Sequence, residues 1–232
     1  MSPRYAVYLA PPPDSALWSF GSAVLGYDAD TGAAVAPPEL RGFDAETWAE
    51  LTTDPRRYGF HGTLKPPFRL VEGASRADLL AAVARVAGGQ HAFDLPPLEV
   101  HEIGPFIALT PSAAVPALHD LADCLVEDLD TLRAPLTPQE IARRRPEGLS
   151  ARQRGYLDTL GYPYVRDEFR FHMTLTGPLD PETRVHALNA LADAYAASGA
   201  SLPLKVEDVA LYCQEAPSER FRIIARIPLR PV

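Results

Sequence analysis

The sequence contains two short stretches that nearly repeat each other, Phe60-His61-Gly62-Thr63-Leu64 and Phe171-His172-Met173-Thr174-Leu175. Four of the five positions match, and the one mismatch lies between His and Thr. In a β-strand alternate residues point to the same side, so His and Thr share one face while Phe and Leu share the other. Each stretch therefore predicts a strand that presents an imidazole and a hydroxyl together. Two facing imidazoles supply a general base and a general acid without a metal.

The elements around the two motifs recur in the same order. After each motif the pattern predicts a capped helix and then two strands, with Ser75 and Asp180 as the helix caps. The predicted strands are Tyr5–Ala10, Tyr58–Leu64, Phe93–His101, Phe106–Thr110, Glu168–Thr176, Leu202–Gln214 and Phe221–Leu229. This internal repeat predicts an α+β fold of two similar lobes, each of antiparallel sheet with flanking helices, around a central cleft. We expect one bilobal domain over residues 1–232, with lobe motifs at about 58–110 and 168–230.

A helical linker of about residues 115–161 is predicted between the lobes. Capping boxes begin two of its helices, at Thr137 and at Ser150. Five arginines lie in this region: Arg143, Arg144, Arg145, Arg152 and Arg154. A solvated basic face is the ordinary interpretation, and the alternative is that some of these side chains reach over the cleft to a substrate phosphate.

Composition limits the classes of protein to consider. The 232 residues are 47% hydrophobic and 22% charged, as in a soluble globular protein, and the net charge of −8 argues against a stable nucleic-acid partner. No apolar run reaches the length of a membrane span. The two cysteines, Cys124 and Cys213, have no metal-binding or redox spacing, so we expect reduced thiols and a cytoplasmic location. The sequence does not indicate an oligomeric state.

The remaining histidines give no sign of a metal site. His91, His101, His119 and His186 have no carboxylate or cysteine partner at ligand spacing. We therefore expect no metal and no cofactor.

The chain resembles the 2H phosphoesterase superfamily, which is named for paired His-x-Thr or His-x-Ser motifs. The segments 57–70 and 169–179, together with Tyr162-Pro163-Tyr164-Val165, resemble its phosphonate-metabolism-associated branch. The resemblance implies two lobes around a cleft with one motif each. It also implies metal-free action on cyclic phosphates or RNA 2′,3′ ends.

The implied chemistry gives each motif residue a role. His61 and His172 would divide the roles of general base and general acid, in an order that the sequence leaves open. Thr63 and Thr174 would donate hydrogen bonds to the nonbridging oxygens, on which charge grows in the transition state. The expected substrate is a small phosphorylated sugar or nucleotide with a cyclic phosphodiester.

The alternation of side-chain directions along each motif strand indicates further substrate-binding residues. Lys65 is predicted on the same strand face as His61 and Thr63. Arg170 and Thr176 are predicted on the same strand face as His172 and Thr174. Tyr58 and Tyr8 are candidates for stacking on a base or sugar, although tyrosine in a strand is more often packing. Arg56 and Arg57, just before the first motif strand, are weaker candidates for phosphate contact.

Three alternatives remain open. The same two histidines would suit an RNA end-processing or ligating activity, whose binding should weaken steeply with salt. A non-catalytic module that holds a cyclic nucleotide or another phosphorylated ligand would bind it without turnover. A metal-dependent phosphoesterase is the weakest of the three, because no Asp/His cluster has suitable spacing.

Overall fold

The computed structural model describes residues 2–231, which form nine strands and eight α-helices. The strands are β1 Arg4–Leu9, β2 Gly62–Phe68, β3 Phe93–Leu95, β4 Leu98–Ile103, β5 Phe106–Pro111, β6 Met173–Thr174, β7 Leu204–Val206, β8 Asp208–Gln214 and β9 Arg222–Pro228. The helices are α1 Ala16–Leu25, α2 Ala45–Leu51, α3 Thr53–Arg56, α4 Arg76–Gly88, α5 Pro116–Asp128, α6 Pro138–Arg143, α7 Ala151–Leu160 and α8 Pro181–Ala197. Short 3-10 helices lie at Asp130–Leu132, Pro146–Gly148 and Arg166–Glu168.

Seven of the strands form one antiparallel sheet in the order β4-β5-β6-β2-β1-β8-β9, and β3 and β7 pair separately. The two motif strands, β2 and β6, are neighbours in the middle of the large sheet. The predicted α+β class with antiparallel sheet and flanking helices is confirmed. The residue limits of the two lobes stay a prediction.

The hairpin that follows each motif in sequence lies beside the other motif's strand. The first hairpin, β4–β5, pairs with β6, and the second hairpin, β8–β9, pairs with β1 and through it reaches β2. The helix after each motif stays with its own motif's side of the sheet: α4 packs on β8 and β9, and α8 packs on β4 and β5. Each side of the sheet is therefore built from both halves of the chain.

The predicted helix caps form as expected. Ser75, Thr137 and Ser150 make capping boxes, and the Asp180 carboxylate accepts from the Glu182 and Thr183 amides. The first helix begins at Ala16, and the Ser15 side chain caps it by accepting from the Trp18 amide.

Several predicted strands differ from the structure. The first motif strand runs through Pro66-Pro67 to Phe68 instead of ending before them. Pro96-Pro97 divides the predicted strand Phe93–His101 into β3 and β4, because proline cannot donate to a sheet ladder. The second motif strand is only Met173–Thr174, shorter than the predicted Glu168–Thr176. The predicted strand Leu202–Gln214 consists of two strands, β7 and β8.

Over residues 2–231, no helix combines the length and apolar character that a membrane crossing requires.

Candidate active site

The two motifs meet at the position where their sequences differ. Gly62 and Met173 are the residues that pair β2 with β6. A Cβ atom at residue 62 would lie 2.2 Å from the ring of Phe171, the first residue of the second motif. Glycine is thus required at this position because the phenylalanine of the other motif packs directly on it.

His61 is held in one tautomer by its own loop. Its Nδ1 lies 2.8 Å from the Gly59 carbonyl oxygen, which only accepts, so Nδ1 carries the hydrogen. The neutral ring therefore has an unprotonated Nε2, and this atom lies 3.3 Å from Thr63 Oγ1. Gly59 makes the turn possible with a φ of 74°, in the left-handed region that glycine adopts without strain.

His172 repeats the arrangement of His61. Its Nδ1 lies 2.8 Å from the carbonyl oxygen of Arg170, again two residues upstream, so its Nε2 is the nitrogen left without a hydrogen. Both motifs thus hold the imidazole through a backbone carbonyl instead of a carboxylate. Each ring is left with a basic nitrogen available to a substrate.

Both imidazoles favour the neutral state. Burial lowers the pKa of His61 to about 4, an effect that the Gly59 hydrogen bond opposes and that the charge of His172 reinforces. Burial also lowers the pKa of His172, against the opposing effect of its hydrogen bond to Arg170.

Aromatic rings surround His61. The ring of Tyr8 stacks on the imidazole with centroids 3.8 Å apart and planes inclined by 22°. Tyr58 and Tyr212 lie further out, each with its centroid 6.1 Å from that of His61. The Tyr212 hydroxyl donates to the Phe60 carbonyl, which fixes the backbone next to His61.

Two adjoining cavities open at the motifs and form a single cleft. Cavity 1, of about 310 Å³, is lined by His61, Thr63 and Thr174 among others, and cavity 2, of about 530 Å³, by Thr63 and His172. Both share Thr63, Pro66, Phe106 and Tyr162 as lining residues. The structure therefore brings the four residues of the paired His-x-Thr motifs to one cleft.

Most of the other predicted residues also border the cleft. Tyr58, Tyr8 and Thr176 line cavity 1, and Arg170 lines cavity 2. The Thr176 hydroxyl oxygen accepts from the Ile107 amide at 3.0 Å, which leaves its hydrogen and one lone pair for other partners.

Lys65 does not line the cleft, so the prediction that strand alternation places it beside His61 and Thr63 is wrong. The strand β2 contains a bulge: Tyr8 pairs with Thr63 and Val7 with Lys65, so one step along β1 corresponds to two along β2. A bulge breaks the alternation of faces. Lys65 is consequently 2% exposed, and its Nζ donates to the Val126 carbonyl in α5 at 2.8 Å.

Of the five linker arginines, Arg144 lines cavity 1, with its guanidinium 4.7 Å from the Tyr162 ring centroid. Arg152 pairs with Asp167, and Arg154 donates to the Leu149 carbonyl. Arg56 and Arg57 donate to backbone carbonyls, and neither lines a cavity.

Among the lining residues that were not predicted as site residues are Arg4, Phe106 and Tyr162. Arg4 shares a strand face with Tyr8, since they stand four residues apart in β1. The alternation Arg4, Ala6, Tyr8 was therefore a signal that could have identified it. Phe106 and Tyr162 belong to loop and hairpin ends whose approach to the cleft depends on the tertiary fold.

Among residues 2–231, no group of three or more His, Cys, Asp or Glu side chains is arranged to hold a metal ion. His91, His101, His119 and His186 do not line either cavity.

Comparisons with known proteins give relatives along the whole chain. A protein of Janthinobacterium sp. (strain Marseille) named "Ribose 1,5-bisphosphate phosphokinase PhnN" is 37% identical over 97% of this chain and 50% of its own length. A protein of the same name from Laribacter hongkongensis (strain HLHK9) is 38% identical over 95% of this chain and 50% of its own. The chain thus spans about half the length of these curated relatives.

Among solved structures, E. coli LigT complexed with 3′-AMP is 15% identical, covers 99% of both chains and has a TM-score of 0.43. A structure described as a phosphoesterase is 16% identical over 99% of both chains, with a TM-score of 0.44. The family described as "Protein of unknown function (DUF1045)" matches residues 63–222, and the chain belongs to this family.

Proposed function

We propose that the cleft is the active site of a phosphoesterase that opens a cyclic phosphodiester of a small phosphorylated sugar or nucleotide. The observation that carries this proposal is the matched state of the two histidines. Each donates Nδ1–H to a backbone carbonyl two residues upstream, and each lies immediately before one of two neighbouring strands with Nε2 as its acceptor nitrogen, which in His61 contacts the Thr63 hydroxyl at 3.3 Å. A base and an acid on either side of phosphorus are what ring opening requires.

The environments of the two rings suggest which is the base. His61, with its pKa lowered to about 4, is neutral at pH 7 and accepts a proton from water through Nε2. The water oxygen forms a bond to phosphorus while the bond from phosphorus to one ring oxygen breaks. His172, which borders the larger cavity, gives the proton that this leaving oxygen needs. A bound phosphate anion would raise the pKa of His172 and so favour its protonated state.

The threonines supply the hydrogen bonds that the transition state needs. Thr63 and Thr174 both line cavity 1, where their hydroxyls are placed to donate to the nonbridging oxygens. Nothing in this chemistry calls for a metal, so we propose a metal-independent reaction. Replacing either threonine with valine should lower kcat by about 10²-fold, as removal of one oxyanion donor does elsewhere.

The relatives' name supports a substrate of the ribose phosphate type and a role in phosphonate metabolism. Their kinase activity is not part of the proposal. This chain has no Gly-x-x-x-x-Gly-Lys-Ser/Thr segment for cradling nucleotide phosphates, since both of its lysines, Lys65 and Lys205, follow leucine. Cys124 and Cys213 are both unbridged, which supports the proposed cytoplasmic location.

Phosphorus NMR with EDTA-treated protein tests the proposal. The substrates are 2′,3′-cyclic nucleotides and ribose cyclic phosphates. We expect one ring to open, and the activity to be lost in both His61→Ala and His172→Ala but kept in His101→Ala, a histidine outside both cavities.

Each contrary outcome has its own meaning. Turnover that survives in both cleft variants would refute the two-histidine mechanism. Activity that disappears with EDTA and returns with a divalent cation would refute its metal independence. Tight binding without product would favour a non-catalytic binding module. Cleavage or joining of RNA ends, with a steep dependence on salt, would favour the RNA alternative.

A further inference from the structure

Cavity 1 contains two arginines that the proposed reaction does not use. Arg4 and Arg144 line it together with His61, Thr63 and Thr174. Asp54 is the single carboxylate among the residues that line this cavity. Cavity 1 therefore carries an excess of positive charge beside three of the four motif residues, and the fourth, His172, lines the adjoining cavity 2.

Neither arginine is neutralised by an ion pair. In residues 2–231, every salt bridge involves other cations, and Arg4 and Arg144 have no carboxylate within 4.0 Å. Arg4 donates from Nε and Nη2 to the neutral Gln214 side chain and lies over the Phe221 ring, and the Arg144 guanidinium lies over the face of Tyr162. The N–H groups of Arg144 are thus available to a ligand.

The position of Arg4 separates it from the reacting phosphate. Tyr8 is the residue that pairs with Thr63, and Arg4 lies four residues earlier on the same face of β1. At about 3.3 Å a residue the two Cα atoms are about 13 Å apart. Because Gln214 is also the cross-strand partner of Arg4, the hydrogen bond between them keeps the guanidinium at its own end of the strand.

Cavity 1 has room for a ligand that reaches both ends. Its 310 Å³ is about ten times the ~30 Å³ that a water molecule occupies in the liquid. A single phosphate at the His-x-Thr residues would leave the part of the cavity near Arg4 empty. Guanidinium groups bind phosphate oxygens through charge-assisted, often bidentate hydrogen bonds.

We propose that Arg4 and Arg144 form a second anion subsite in cavity 1. The substrate is then a sugar or nucleotide that carries a phosphomonoester in addition to the phosphodiester that reacts. This inference rests on the phosphoesterase function proposed above for the reacting end. The phosphomonoester anchors the molecule at the arginine end and places its cyclic ester between His61 and His172.

Matched substrate pairs test the subsite. Each pair is one cyclic phosphate with and without a distal phosphate, such as a nucleoside 2′,3′-cyclic phosphate and its 5′-phosphorylated form. The wild-type protein should prefer the doubly phosphorylated member. Arg144→Gln and Arg4→Gln should raise the KM of that member by about tenfold to a hundredfold, since a hydrogen bond to a charged group is lost. Both variants should leave the kcat of the doubly phosphorylated member unchanged, because the contact is remote from the reaction. The kcat and KM of the member without the distal phosphate should also stay unchanged.

Arg143→Gln is the matched control. It removes the same charge from the adjacent residue, which is exposed and does not line the cavity. An equal loss for both members of a pair in the Arg4 and Arg144 variants would overturn the proposal. The absence of a wild-type preference for the distal phosphate would overturn it as well.

A binding measurement separates this inference from the proposed function. Isothermal titration with ribose 5-phosphate needs no turnover. If no cyclic ester is opened but binding of ribose 5-phosphate weakens at least tenfold in Arg144→Gln and not in Arg143→Gln, the subsite stands and the catalytic proposal fails. If ring opening occurs and the titrations of the two variants coincide, the subsite is refuted while the catalytic proposal stands.

Discussion

Tyr8 covers one face of the His61 imidazole, with ring centroids 3.8 Å apart and an interplanar angle of 22°. The tyrosine itself is 1% exposed, and it pairs with Thr63 across the sheet. The stack therefore shields the imidazole from water while the Gly59 hydrogen bond fixes its rotation. Together these contacts orient Nε2 and account for much of the burial that lowers the pKa of His61.

Tyr8 should act as a positioning residue for His61. In Tyr8→Leu, loss of the stack should lower kcat by about tenfold or more, because misplacement of a catalytic group slows the reaction steeply. The pKa of His61 should rise from about 4 towards its usual value as water reaches the ring. NMR titration and the pH profile of kcat measure both effects. Tyr8→Phe keeps the ring and should keep the low pKa; the same rise in Tyr8→Phe would show that stacking is not its cause.

The low pKa of His61 should make the fold less stable in acid. Between about pH 6.5 and 4 the unfolded chain binds a proton that the folded protein does not, so the free energy of unfolding falls as the pH falls. One such group gives a slope of at most about 1.4 kcal/mol per pH unit. Urea unfolding across this range should show a shallower slope in His61→Gln than in wild type, and no such change in the control His101→Gln. Parallel curves for wild type and His61→Gln would contradict the prediction.

The contribution of Lys65 to the free energy of unfolding should increase as the pH rises into the alkaline range. Burial lowers its pKa to about 8, although Asp130 partly opposes this. Between about pH 8 and 10.5 the folded protein has lost a proton that the unfolded chain retains, so the contribution of Lys65 to stability increases with pH. Tyr8, Tyr212 and Cys213 have raised pKa values and act in the opposite direction, but they are the same in every variant.

The measurement is therefore the difference in unfolding free energy between wild type and Lys65→Met as a function of pH. This difference should increase in favour of wild type from pH 8 to 10.5. Lys205→Met, which removes the exposed second lysine, is the control and should show a flat difference. A flat difference for Lys65→Met as well would mean that the buried amine is not desolvated as described.

Gly62→Ala should disturb the contact between the motifs. The new methyl group would meet the Phe171 ring at 2.2 Å, so the ring must shift. We expect a destabilisation of about 1–3 kcal/mol, as in other overpacked cores, together with reduced activity. Thermal unfolding checks this against Gly155→Ala, whose Cβ would meet no atom within 4 Å. Phe171→Leu added to Gly62→Ala should recover part of the stability; if it recovers none, another contact causes the loss.

The sequence was sufficient to predict the helix caps and to pick out the two motifs whose residues line the cleft. Capping depends on residues three apart, and the motif faces depend on simple alternation, so both are local properties. The position of Lys65 was predicted wrongly because a bulge opposite Val7 and Tyr8 puts its side chain on the other face of the strand. The residues next to Lys65 in the sequence do not specify that register. Arg4 could have been identified from its alternation with Tyr8 in β1, whereas Tyr162 reaches the cleft through tertiary contacts that no local pattern specifies.

The hairpin that follows each motif lies beside the strand of the other motif, and this arrangement affects how the chain folds. Arg4 pairs with Gln214 across 210 positions, and β5 cannot gain its partner β6 until residue 173 has been made. Such non-local pairing raises contact order and slows folding, because long loops must close before the contacts form. A nascent chain that ends before the second motif thus lacks strand partners for the hairpin it already contains. The cleft arises only after the second motif has been made, because a chain that ends before residue 172 contains only one of the two imidazoles.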